Sequence, residues 1–86
     1  MTELTELQNI GKEMARKLMD IGIDTPEKLR TSGSKQVFSL LKMRYPNVCL
    51  VHLYALEGAI QNMEYNRLPE DTKEDLKEFN GLLKWK

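Results

Sequence analysis

Between its glycines and prolines the chain carries apolar residues at helical rather than strand spacing. From Gly11 to Ile21, Met14, Leu18 and Ile21 recur at i, i+4 and i+7 with Ala15 beside them, while Lys12, Glu13, Arg16, Lys17 and Asp20 take the other side. Gly22 is placed to close that helix in a left-handed conformation. Thr25-Pro26-Glu27 reads as N-cap, first helical position and acidic first turn of a short helix through Leu29, which Gly33 stops. Ser34 is the expected cap of a third helix, with Val37, Phe38, Leu41 and Tyr45 on one face and Lys35, Lys42 and Arg44 turned away. Pro46 ends it, because a residue before proline is pushed out of helical geometry.

The stretch from Leu50 to Met63 is apolar almost all round, which predicts a central helix, and Gly58 and Ala59 are small enough to admit a neighbouring helix. After Leu68-Pro69 a last helix opens on Glu70 and Asp71 and closes on Lys84 and Lys86, both favourable to the helix dipole, with Thr72, Leu76, Phe79 and Leu83 as its buried face. No segment shows the period-2 alternation of a half-buried strand. The expectation is an all-α, compact bundle of about five or six short helices, counting one near Leu4, in a single domain over residues 1–86.

Composition narrows the function classes. The 86 residues hold 13 Lys+Arg against 13 Asp+Glu, one Cys and one His, so neither a disulfide framework nor a Cys/His zinc cage can be built. The first residues lack the basic and apolar regions of a signal peptide, and Leu50–Met63 is shorter than the roughly 20 apolar residues a bilayer requires. A cytoplasmic setting without membrane contact is the simplest reading, and no cofactor is implied.

The neutral total hides an asymmetry: Asn9 to Pro46 holds eight basic and four acidic residues, and Asn47 to Lys86 five basic and seven acidic. Cys49 and His52 could share a helix face, but no oxyanion hole or orienting carboxylate accompanies them in sequence, so Cys49 is read as a small buried hydrophobe. Glu57 interrupts an apolar helix and is expected to cap a neighbouring helix or to face the rim. No enzyme is expected. Tyr54, Tyr65, Trp85, Met14, Met19, Met43 and Met63 read either as core or as an adaptable binding surface, with Trp85 the best candidate for an exposed apolar contact.

The pattern Leu7-Gln8-Asn9-Ile10-Gly11-Lys12 resembles a helix–hairpin–helix turn, with Asn9 where that motif has its first glycine. Free amides at Ile10, Gly11 and Lys12 at the start of a helix would suit a phosphate, Ile10 would anchor the turn in the core, and Arg16 lies one turn on. Asn9, Ile10, Gly11, Lys12 and Arg16 are therefore the candidate DNA contacts. The competing reading makes the same hairpin pure architecture in a domain that binds another protein, and the zero net charge favours it.

Asn9-Ile10-Gly11, Met14, Leu18, Ile21-Gly22-Ile23, Thr25, Leu29, Gly33, the string Leu53-Tyr54-Ala55-Leu56-Glu57-Gly58-Ala59-Ile60, and Leu68-Pro69 with Leu76 together resemble the C-terminal domain of the TfoX/Sxy family, regulators of natural competence (DNA transformation) in bacteria. The resemblance implies a helical domain related to helix–hairpin–helix (SAM-like) folds. In full-length members it follows a separate N-terminal domain within a transcriptional co-regulator, so this chain reads as a stand-alone form. The function expected is a non-enzymatic interaction module for an unknown protein partner in bacterial transcription regulation. The alternative is weak, sequence-independent DNA binding. The resemblance carries no catalytic residues with it.

Overall fold

Each glycine or proline stop in the sequence falls at a boundary in space. The computed structural model describes residues 3–84. A 3-10 helix at Glu3–Glu6 leads into α1 (Lys12–Asp20), α2 (Pro26–Ser32), α3 (Ser34–Arg44) and α4 (Leu50–Gln61), and a second 3-10 helix at Tyr65–Arg67 precedes α5 (Glu70–Lys84). No strand occurs among the described residues. The Cα radius of gyration of 11.8 Å matches the ~12 Å of a compact chain this long.

Local chemistry sets the ends of the helices. α1 closes in a Schellman motif: Gly22 adopts φ +90, its amide donates to Met19 O at 3.1 Å, and the Ile23 amide donates to Leu18 O at 2.8 Å. Thr25 caps α2 by accepting the Lys28 amide at 3.2 Å, with Pro26 at the first helical position. Gly33, at φ +86, ends α2 and also serves as the N-cap of α3. Ser34 is thus not the cap predicted for it. It is already inside α3, buried, and its hydroxyl donates to Glu57 Oε1 at 2.5 Å, with Gln61 donating to the other carboxylate oxygen. Glu57 accordingly faces the first residue of α3, close to the capping role expected of it.

α4 ends two residues earlier than its apolar run. Asn62 turns left-handed at φ 60, and the Met63 amide returns to Gly58 O at 2.9 Å, a second Schellman closure with asparagine in place of glycine.

A single core joins Leu4, Ile10, Leu18, Leu29, Phe38, Leu53, Leu56 and Leu76, so Ile10 and the central helix converge as the pattern requires. α3 and α4 form its centre, with α1 and α2 on one flank and α5 on the other. The face of α5 is shallower than predicted: Leu76 and Asn80 are buried, whereas Thr72, Phe79 and Leu83 are half-buried. The ends of α1 and α3 are tied at the surface, where Arg44 Nε and the Tyr45 hydroxyl both donate to Asp20 Oδ2, at 2.6 and 2.5 Å. Those two bonds, Tyr45 first and Arg44 second, hold the Asp20 carboxyl below its ordinary range.

Candidate interaction surface at the Asn9–Lys12 turn

The turn before α1 is built around a left-handed asparagine. Asn9 adopts φ +70, the conformation the hairpin-like pattern demands and one that Asn tolerates better than most residues. Its carboxamide is turned inward: Nδ2 donates to Met63 O at 3.0 Å and towards Ala55 O at 3.4 Å, while Oδ1 accepts the Tyr65 amide at 3.2 Å. The turn is thereby tied to α4 and to the segment after it. Gly58 makes this possible, because a Cβ there would lie 2.5 Å from Asn9 Nδ2 and 2.7 Å from Met63 O. The small residue on α4 therefore admits the Asn9 turn and the chain leaving α4, not the neighbouring helix that the sequence led us to expect.

The other residues of the predicted phosphate site fall on different sides of the turn. Ile10 is in the core as expected, but its amide is not free and donates to Leu7 O at 3.3 Å. Gly11 is the N-cap of α1 and supplies no side chain to the first-turn amides, so this helix start keeps its partial positive charge towards solvent. Lys12 is exposed. Arg16 is engaged with Glu13 at 2.7 Å, a bond that pulls the Glu13 carboxyl below its ordinary range.

Beside the turn, between the start of α1 and the first half of α4, lies a cavity of about 330 Å³ lined by the apolar Met14, Val51, Ala55 and Tyr65 and by the polar Glu13, Lys17 and His52. Val51 is 50% exposed and Tyr65 41%, large values for apolar bodies that meet across one groove. Lys17 forms no ion pair among the described residues, and its ammonium lies 5.3 Å above the Tyr45 ring.

His52 is set by its own helix end. The Cys49 amide donates to His52 Nδ1 at 3.0 Å, a capping arrangement at the start of α4 that leaves Nε2 as the protonated nitrogen. Cys49 Sγ lies 3.5 Å from the same Nδ1. The thiol is exposed, which corrects the expectation of a buried hydrophobe; as N-cap residue it precedes the apolar face of α4. Cys49 and His52 thus meet at the start of α4, as their spacing allowed, whereas Glu57 is engaged with Ser34 and Gln61 and lines a different cavity.

Burial, and secondarily the Lys17 charge, hold the His52 imidazole below its ordinary value of 6.5. A depressed imidazole means that the unfolded chain takes up the proton first, so stability falls as pH drops below about 6.5 and levels off once the folded state also protonates. His52→Gln keeps an acceptor for the Cys49 amide and removes the titration. Urea midpoints measured between pH 5 and 7.5 should therefore fall less steeply with acidity for this variant than for the parent.

The family model for the TfoX C-terminal domain matches residues 1–80. The chain belongs to the TfoX C-terminal domain family. This TfoX C-terminal domain is also similar to two solved structures from Listeria monocytogenes. One, in a triclinic crystal form, is an uncharacterized protein with 42% identity and a TM-score of 0.93, covering 94% of this chain and 92% of that one. The other, in a tetragonal form, is a protein of unknown function with 42% identity and a TM-score of 0.91, covering 93% and 99%. No curated protein matches the chain.

Sequence reasoning named Tyr65 and Met14 only as core or adaptable binding surface and missed Val51 and Ala55 beside the turn. The signal for Val51 was weak: a β-branched residue near the start of a helix taken to be central.

Proposed function

We propose that this TfoX C-terminal domain is a non-enzymatic protein-binding module, acting as an accessory in bacterial transcription regulation of the competence-related kind. The observation that carries this reading is the α1–α4 groove, where Val51 and Tyr65 present apolar surface to solvent beside the Asn9–Lys12 turn. Exposed apolar side chains that meet in one groove suit a protein partner. Family membership supports the regulatory context.

The test is parallel capture with three forms of the domain. Val51→Asp puts a carboxylate in the first turn of α4, where the dipole favours it, so the variant is expected to fold. It should lose the partner that the parent domain captures at moderate salt. Met43→Asp, at a residue 82% exposed on another face, should keep it. Capture of nucleic acid alone would overturn the reading. DNA binding is the competing function, supported by Lys12 and the open helix start at Gly11. The inward carboxamide of Asn9 and the Glu13–Arg16 pair leave it few further phosphate contacts.

A further inference from the structure

Resting on that reading, we propose that the partner segment seated in the α1–α4 groove carries one large apolar anchor side chain with a carboxylate beside it, the anchor on Met14, Val51, Ala55 and Tyr65 and the carboxylate facing Lys17 and the start of α1.

Size limits the occupant first. A volume of about 330 Å³ is at the small end of the ~300–1,000 Å³ range of ligand pockets, so the groove takes a single anchor and its immediate neighbour and not the length of a helix. The lining chemistry fixes the anchor as apolar, since a thioether, a branched aliphatic chain, a methyl and a phenol ring meet there.

Charge selects the neighbour. Glu13, the one acidic residue on the groove, is compensated by Arg16 at 2.7 Å. Lys17 forms no ion pair among the described residues: its ammonium rests on the Tyr45 ring, and Glu13, one turn before it, feels the Lys17 charge but is bonded to Arg16. The first turn of α1 adds the positive end of a helix whose N-cap, Gly11, supplies no acceptor. His52 adds a neutral ring with its proton on Nε2, a donor and not a charge, because Nδ1 is occupied by the Cys49 amide. With Glu13 bonded to Arg16, the groove combines an apolar lining with a net positive surround, which complements an acidic residue and disfavours a basic one.

Three short peptides with one shared phenylalanine anchor, flanked by Asp/Glu, by Asn/Gln or by Lys, separate the possibilities when titrated into the isotope-labelled domain and followed by NMR. The acidic peptide should shift the Gly11, Lys12, Val51, Ala55 and Tyr65 amides and bind several-fold more tightly than the neutral one, with the basic peptide weakest. The differences should shrink as salt is added. Lys17→Gln should bring the acidic peptide close to the neutral one and leave the neutral one unchanged, a readout that a merely structural role for Lys17 would not produce. Equal binding of all three peptides in the groove would overturn the carboxylate while leaving protein binding intact. Duplex DNA shifting the same amides more strongly than any peptide, or no peptide shifting them, would overturn the proposal itself.

Discussion

Asn9→Ala is expected to destabilise the domain by about 3 kcal/mol. Two effects add. Alanine in a left-handed conformation costs about 1–2 kcal/mol, and removing the carboxamide leaves the Met63 carbonyl and the Tyr65 amide without the partners that now hold them. Asn9→Gly separates the two terms, since glycine takes φ +70 freely and loses only the hydrogen bonds; its loss should be about half as large. Urea denaturation of the three proteins measures both. Equal losses for Ala and Gly would show that the hydrogen bonds alone matter, and a negligible loss for both would show that the turn is not fastened by Asn9.

The second large effect is at Gly58, where the sign is the test. Glycine inside an exposed helix is ordinarily improved by alanine, by up to about 1 kcal/mol. Here the added Cβ would lie 2.5 Å from Asn9 Nδ2, 2.7 Å from Met63 O and 3.3 Å from Tyr65 Cα. Two of these are backbone atoms and the third belongs to a side chain held by its own hydrogen bonds, so none yields cheaply. Overpacking of this kind costs about 1–3 kcal/mol or more, and we expect Gly58→Ala to be net destabilising by about 2 kcal/mol. At roughly 4–8 °C per kcal/mol for a domain of this size, the melting temperature should fall by about 10 °C. A rise would refute the close approach. The two sites are also coupled: Asn9→Gly in the Gly58→Ala background should cost less than it does alone, because one of the two shortest contacts has gone.

These same residues show how far the sequence could be read. The helix boundaries were legible because they depend on residues a few positions apart: Gly22 closing α1, Thr25-Pro26 opening α2, and Pro46 ending α3 by forcing Tyr45 to φ −127 and ψ 83. The left-handed state of Asn9 was legible for the same reason. What its side chain does was not, since its partners Ala55, Met63 and Tyr65 lie 46, 54 and 56 residues away. Ser34 illustrates a local rule overruled by a distant group: a serine after glycine reads as a cap, but the Glu57 carboxylate takes its hydroxyl and leaves Gly33 to begin the helix. Cys49 was placed inside because its neighbours are apolar, yet the N-cap position turns its thiol outward. The groove was hidden for a related reason. An almost uniformly apolar α4 reads as wholly interior, and only the packed chain shows that Val51 stays outside. Trp85 and Lys86 lie outside the described residues.

The fastening at Asn9 also constrains how such a domain can drift over generations. A side chain gained at position 58 crowds both the carboxamide of position 9 and the Met63 carbonyl, so giving up the carboxamide relieves one of those two contacts and leaves the other. The cost of changing either letter therefore depends on the other. Of the two orders of replacement, the one that begins with glycine at position 9 passes through the less destabilised intermediate.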